Sequence, residues 1–153
     1  MAKDKTQIVK EEAEKLLELM GSVAKVKMTE DKENEAILVD LESPDETGLL
    51  IGRHGETILS FQTILGMIVK QKLGEWERVL VNIGDWREKE KAHLEELAAQ
   101  AAERAKSTGE PQTLYNLSSS QRRIIHLYLV KDAQIKTESQ GEGKERFLVI
   151  SKV

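Results

Sequence analysis

The chain has 153 residues, a formal net charge of −4, a charged fraction of 33% and an aromatic fraction of 4%. This length suits one ordinary domain or two small ones. It contains no cysteine, which excludes disulfides, thiolate zinc sites and cysteine nucleophiles, and no apolar run approaches the roughly 18–20 residues of a membrane span.

The first part of the chain alternates helix and strand signals. Apolar residues at helical spacing predict a helix over 4–20, which Gly21 ends. Two strands are predicted at 22–28 and 35–42, separated by a charged turn. In the first strand Val23 and Val26 supply the β-branched positions.

A compact corner follows. Ser43-Pro44-Asp45-Glu46 is a capping box that predicts a short helix over 44–51. Gly52 should end this helix and Gly55 should open a longer one, which runs to Gly74 with apolar positions at Ile58, Phe61, Leu65, Ile68 and Leu73. The new helix offers unpaired N–H groups and a positive dipole end, so the corner is a predicted anion site with Arg53 and His54 at its tip.

The pattern I-G-x-x-G-x-x-I, between a capped short helix and an apolar helix, resembles the signature loop of KH domains, which clamp about four nucleotides of a single strand by their backbone. A strand predicted at 78–83 completes the order helix-strand-strand-helix-helix-strand, as in the type II KH arrangement. The resemblance covers about residues 4–84. The loop alone would also fit a helix-breaking turn that carries an ordinary solvated Arg-His pair.

The second part of the chain begins with another capping box, Asp85-Trp86-Arg87-Glu88, which predicts a long helix to about Lys106. A short strand at 112–116 precedes a third capping box at 118–121 and the helix that it starts. Strands at 135–139 and 146–153 form a predicted β-hairpin.

The helix after the third capping box carries an Arg-x-x-x-His pattern. At about 100° per residue, Ile124, Ile125 and Tyr128 fall on one side, with Arg122, Arg123 and His126 on the other. Arg122 and His126 lie one above the other and could donate to adjacent phosphates. Taken alone, this spacing is more commonly a solvated helix face.

This helix is followed by Thr137-Glu138-Ser139-Gln140-Gly141 and a strand from Arg146, an assembly that looks like the R-three-H domain, a single-stranded nucleic-acid-binding module. A KH domain followed by an R-three-H domain is similar to the Jag family of bacterial RNA-binding proteins, also called KhpB. Jag proteins often begin with a further small domain and a charged linker. Neither is present here, so we expect a short member or a fragment. Gln121 also stands where the family often has an acidic residue.

We therefore predict an α+β protein of two small α/β modules in tandem: a type II KH-like domain (α-β-β-α-α-β) at 1–84 and an R-three-H domain (α-β-α-β-β) at 85–153, joined by a helix. The predicted partner is single-stranded RNA, or DNA in its place. The resemblance implies that the binding residues are Ile51, Gly52, Arg53, His54, Gly55 and Ile58, with Arg122, Arg123 and His126 in the second module.

The charge distribution limits how such binding can work. Residues 1–84 hold 11 Lys/Arg against 16 Asp/Glu, and residues 85–153 hold 12 against 11. Nucleic acid must therefore meet small local positive patches, with modest affinity. Few aromatics are available for base stacking, and we place none of Trp76, Trp86, Tyr115 or Tyr128 in either contact surface, which predicts weak sequence readout.

Catalysis is not expected. The three histidines form no metal-spaced cluster, and the sequence has no nucleophile elbow or Walker-type loop. We predict no enzyme activity, no cofactor and no metal. The alternative function is a protein-interaction scaffold with little RNA binding, although Arg-His between the glycines favours retained binding. The resemblance also implies a cytoplasmic post-transcriptional regulator of envelope growth or cell shape, which pairs with a small KH-domain protein or with itself.

Overall fold

The described part of the chain contains two three-stranded sheets, and each packs against its own hydrophobic core. The computed structural model describes residues 2–153, with side chains described from residue 5 onward. The chain divides into two units, Met1–Arg87 and Glu88–Val153. Each unit mixes helices and strands, so the predicted fold class of two α+β modules in tandem is confirmed.

The first unit has the predicted order of elements: α1 (Ala2–Leu19), β1 (Lys25–Asp31), β2 (Ala36–Glu42), α2 (Thr47–Ile51), α3 (Glu56–Leu73) and β3 (Val79–Ile83). Strand β2 lies in the centre, antiparallel to β1 and parallel to β3. Alternation along β2 buries Ile37, Val39 and Leu41 in one core with apolar residues of α1 and α3. The two helices therefore cover the same sheet face.

Strand β1 begins later than the predicted range of 22–28, and Val23 lies before it with 81% of its surface exposed. The Ser22 hydroxyl and the Val23 amide both donate to the Glu46 carboxylate instead. These bonds hold the segment outside the β ladder. Because β1 is a half-exposed edge strand, its hydrophobic pattern gave only a weak signal of its start.

The first capping box forms only in part, so α2 begins at Thr47 and has five residues. The Glu46 amide donates to Ser43 Oγ over 3.0 Å, as the box requires. The Glu46 carboxylate, however, accepts its hydrogen bonds from Ser22 and Val23. Pro44 and Asp45 therefore form a bend rather than the first helical turn, and Glu46 is the N-cap residue of α2.

The corner between α2 and α3 has no room for a β-carbon at either of its glycines. A β-carbon on Gly52 would lie 2.7 Å from the Thr57 β-carbon and 2.9 Å from the Thr57 amide nitrogen. One on Gly55 would lie 2.8 Å from Cζ2 of Trp86. Both glycines also have positive φ, 73° and 78°. The protein's own packing, and not only an approaching strand, therefore requires glycine at both positions.

The beginning of α4 (Trp86–Thr108) is fastened to the first unit. The Arg87 amide donates to Asn82 Oδ1 over 3.1 Å, and Arg87 Nη2 lies 3.9 Å from a carboxylate oxygen of Asp31. Asn34 closes the β1–β2 turn by donating to the same carboxylate over 2.8 Å. The hydrogen bonds from Asn34 hold the pKa of Asp31 below its usual range, and the Arg87 guanidinium adds to this effect.

The second unit continues α4 and adds β4 (Gln112–Leu114), α5 (Ser119–Leu129), β5 (Ile135–Gln140) and β6 (Phe147–Lys152). Strand β6 is central and antiparallel to both neighbours. The third capping box forms in full: Gln121 N donates to Ser118 Oγ over 3.1 Å, and Ser118 N donates to Gln121 Oε1 over 2.8 Å. The core joins α4 and α5 to one face of this sheet through Leu94, Ala98, Ala101, Ala102, Ala105, Ile125, Leu129, Ile135, Leu148 and Ile150.

The packing of Trp86 against the corner predicts different costs for two alanine substitutions. Gly55 and Gly74 have nearly the same backbone, with φ of 78° and 76°. A β-carbon at position 74 would have nothing within 4 Å. We therefore expect Gly74→Ala to lower the free energy of unfolding by about 1–2 kcal/mol, because of the left-handed backbone alone. Gly55→Ala should cost about 1–3 kcal/mol more, since it also overpacks against the indole. Urea denaturation measures both, and equal losses would show that Trp86 does not restrict residue 55.

Candidate nucleic-acid interface

The tip of the corner displays two exposed basic side chains on an unusual backbone. Arg53 and His54 form a short 3-10 turn with Gly55, and both are exposed. His54 itself has φ of 55°, so Gly52, His54 and Gly55 all have positive φ. A left-handed conformation costs a non-glycine residue about 1–2 kcal/mol. Backbone strain of this kind occurs at functional sites, and it is also present at the exposed turn residues Glu35 and Asn116.

Helix α3 begins at this corner without a side-chain cap. Gly55 is its N-cap residue, and within the described part of the chain no side chain accepts from the first turn there. The Glu56 amide donates to the Arg53 carbonyl, which closes the 3-10 turn. The next amides and the positive end of the helix dipole therefore face the corner. Glu56 is exposed in the same turn and reduces the local positive potential.

The two isoleucines that flank the glycines are not equivalent. Ile58 is 1% exposed and belongs to the core of the first unit. The structure thus places this predicted binding residue in the interior of the unit and not on its surface. Ile51 is half-buried against the same core. The apolar pattern around the loop thus reflects packing that holds the corner in place.

The Arg-x-x-x-His residues of α5 lie together, but both have partners inside the second unit. Arg122 is half-buried, and its Nη1 donates to the Leu117 carbonyl over 2.7 Å and to the Arg146 carbonyl at 3.5 Å. Nδ1 of His126 is hydrogen-bonded to the Thr137 hydroxyl. Arg122 therefore connects the loop after β4 to the beginning of β6, and the Thr137 bond orients the imidazole ring.

The buried face of α5 differs from the predicted one. Ile125 and Leu129, which are four residues apart, are 0% and 4% exposed, whereas Tyr128 is 39% exposed. The apolar stripe is thus centred between Ile125 and Leu129, and Arg122 lies at its edge. Arg123 points away from this stripe and is exposed. It is the arginine of the pair that is more accessible to a ligand.

Two residues near these surfaces were not selected from the sequence. Trp86 lies against Gly55 of the corner, although it was expected to lie outside the contact surface for nucleic acid. Arg146 lies beside Arg122 and is exposed, with its Nη1 donating to the Gly141 carbonyl over 3.0 Å. The sequence signal for Arg146 is its place at the start of the hairpin strand. No local pattern points to Trp86, because its contact with the corner is made by the fold.

Among the side chains that the structure describes, no group of three or more His, Cys, Asp or Glu could hold a metal ion. None of the helices in the described part of the chain is both long and apolar enough to cross a membrane.

Comparison with known families divides the chain in the same way. The model of the KhpA/KhpB KH domain matches residues 7–83, which is about half of the chain. The model of the R-three-H domain matches residues 92–152. The two matches occur in the order that the motifs predicted. Both families are binding modules, in agreement with the prediction that the chain is not an enzyme.

Two relatives named RNA-binding protein KhpB are similar over most of the chain. The protein from Clostridium symbiosum is 30% identical over 138 residues, which cover 90% of this chain and 62% of the relative. The protein from Bacillus subtilis is 37% identical over 109 residues, which cover 70% of this chain and 52% of the relative. The chain thus spans less than two thirds of either relative. With its KH and R-three-H domains in tandem, it belongs to the KhpB, or Jag, family.

Proposed function

We propose that this protein binds single-stranded RNA along its phosphate backbone and performs no chemistry on it. The observation that carries the proposal is the corner at residues 52–55. It displays Arg53 and His54 on a strained backbone at the uncapped end of α3. A phosphate placed there would accept hydrogen bonds from backbone amides and from the Arg53 guanidinium. The names of the relatives, which describe them as RNA-binding, support the same function.

The second contact surface is the exposed edge of α5. Arg123 is exposed and supplies a permanent positive charge. Both hydrogen bonds of Arg122 to backbone carbonyls use Nη1. A phosphate would therefore accept hydrogen bonds from Nε and Nη2 of Arg122. At His126 the Thr137 bond uses Nδ1, which directs Nε2 to the ligand. A strand would therefore meet two separate cationic contacts, one in each unit.

The proposal also covers the boundary between the two modules and the role of the protein in the cell. The modules would divide between residues 84 and 85, with Trp86 and Arg87 packed onto the first. The protein would act in the cytoplasm as a post-transcriptional regulator that affects envelope growth or cell shape. Because the first unit carries an excess of acidic residues, its affinity for RNA should be modest and should depend on the corner.

Reversing the charge of the corner tests this function. Arg53→Asp with His54→Asp should abolish most of the RNA binding by the first unit, because two carboxylates would face the phosphate. The free energy of unfolding should change by less than about 1 kcal/mol, since both side chains are exposed and aspartate tolerates the left-handed backbone at residue 54. Fluorescence anisotropy with a labelled single-stranded RNA measures the affinity.

A matched control separates a local effect from a change of net charge. Lys91→Asp with Ala92→Asp alters the charge by the same amount at two exposed positions of α4. This control should bind RNA nearly as well as the wild-type protein. Wild-type affinity in the corner variant, or an equal loss in the control, would refute the corner as a phosphate site.

A second candidate function, pairing with another protein, is favoured by an apolar patch on α3. We define this patch by Ile64, Met67 and Trp76, which are 47%, 63% and 64% exposed. Trp76 follows α3 in sequence, and its ring lies beside Gly66 with its centroid 5.9 Å from Nζ of Lys70. The indole therefore adds to the exposed apolar surface of α3. We propose that a small KH-domain protein, or a second copy of this chain, covers the patch.

Met67→Glu tests the pairing independently of RNA. The wild-type protein should sediment as a concentration-dependent dimer, and the added charge should make it monomeric without weakening RNA binding. Gln100→Glu adds the same charge at an exposed position on α4 and should leave the dimer intact. Identical sedimentation of the wild-type protein and Met67→Glu would exclude the patch as the contact between two copies of the chain.

A further inference from the structure

An aromatic pair lies on the face of the second sheet opposite to the helices. Leu148 and Ile150 of β6 point into the core, so Phe147 and Val149 point to the outer face. Leu114 is paired with Leu148, and the next residue, Tyr115, therefore comes alongside Phe147. The two rings are 5.4 Å apart between centroids and inclined by 47°.

The exposure of this pair needs a reason beyond sheet stability. Tyr115 is 63% exposed, in a chain that has only six aromatic residues. A cross-strand aromatic contact contributes about 0.5–1.5 kcal/mol, which explains why Phe147 packs against Tyr115. It does not explain why the other side of the tyrosine ring is left facing solvent. A flat, exposed π surface is suited to stacking with a second flat group.

The pair is held in place by its surroundings. A β-carbon built on Gly141 would lie 3.5 Å from Cε1 of Phe147, so the phenyl ring covers this glycine. Arg122 donates to the Leu117 carbonyl and to the Arg146 carbonyl. These carbonyls lie two residues after Tyr115 and one residue before Phe147. Arg122 thus ties together the two backbone segments that carry the rings.

The charges around the pair favour a nucleobase over a simple anion as the ligand. Arg146 is exposed next to Phe147, and Lys136 and Glu138 are exposed on the outer face of β5. Glu142 and Glu145 lie in the exposed hairpin turn. Lys144 is exposed in the same turn. Three cations therefore face three carboxylates, which gives little general attraction for phosphate. What the pair offers is aromatic surface, and every unpaired base has a π face that can use it.

We propose that Tyr115 and Phe147 form a stacking site for unpaired nucleobases of the RNA that the second unit binds. This inference rests on the proposed single-strand binding and adds the group that contacts the bases. A strand held by Arg122 and Arg123 lies at the end of the sheet where the aromatic pair begins. Its phosphates remain at the helix, and its bases turn onto the outer face. Purines, which have the larger π surface, bind more tightly than pyrimidines.

The test compares strands with and without bases. The full chain, isotopically labelled in its aromatic rings, is titrated with an adenine-bearing oligoribonucleotide and with an abasic strand of the same length. The ring resonances of Tyr115 and Phe147 should shift upfield with the base-bearing strand and stay unchanged with the abasic one. Tyr128, which is exposed on α5 and outside the proposed site, is the internal control.

Substitution gives a second measurement. Tyr115→Leu should weaken binding of the base-bearing strand by roughly 5- to 150-fold, which is the range expected for loss of one stacked base. Its affinity for the abasic strand should not change, and Tyr128→Leu should bind both strands like the wild-type protein. A different result would be that both strands bind while the Tyr115 resonances do not shift and Tyr115→Leu binds like the wild-type protein. That result would refute the stacking site and leave the proposed phosphate binding intact. If the wild-type protein binds neither strand, the stacking site and the proposed function both fall.

Discussion

The corner between α2 and α3 depends on the absence of two β-carbons. Thr57 fills the space beside Gly52, and the indole of Trp86 fills the space beside Gly55. Between the two glycines the turn closes with His54 in the left-handed region. Arg53 is exposed in this turn, and α3 begins without a side-chain cap. The features that suit a phosphate thus follow from how closely the backbone packs.

Trp86 also links the corner to the helix that leaves the first unit. It is the first residue of α4, and the residue after it bonds to Asn82 and lies near Asp31. A change that moves the start of α4 would therefore remove the packing beside Gly55 as well. The second unit repeats this arrangement with Arg122, whose guanidinium joins two loop carbonyls. Trp86 thus packs beside the loop of the first unit, whereas Arg122 is itself part of the Arg-x-x-x-His pattern and holds two loops of the second unit.

Local signals in the sequence were reliable where the interaction itself is local. The capping box at 118–121 could be predicted because both of its hydrogen bonds join Ser118 and Gln121. The sequence at 43–46 fits the capping-box pattern equally well, but Ser22, which is 24 residues away, donates to the Glu46 carboxylate. The start of β1 was predicted too early for the same reason. Such long-range competition leaves no mark on the pattern of neighbouring residues.

In the candidate site too, the sequence predicts the features that local interactions determine and not those that depend on long-range packing. The exposure of Arg53 and His54 follows from the two glycines, which the sequence displays. That Ile58 is buried and that Arg122 is half-buried depends on which stripe of each helix meets the sheet. The aromatic pair could not be predicted, because Tyr115 and Phe147 are 32 positions apart and meet only through the register of β4 with β6.

Contact with phosphates at both surfaces is tested most directly by the salt dependence of RNA affinity. The phosphate contacts that we propose for Arg53, Arg122, Arg123 and His126 number about three to four, which predicts a slope of log affinity against log salt of roughly −2 to −3 for a single strand. Arg123→Ala should reduce the size of this slope by about 0.7, whereas Arg104→Ala, at an exposed position of α4, should leave it unchanged. A wild-type slope near zero, or no change in Arg123→Ala, would contradict binding through the phosphate backbone at these residues.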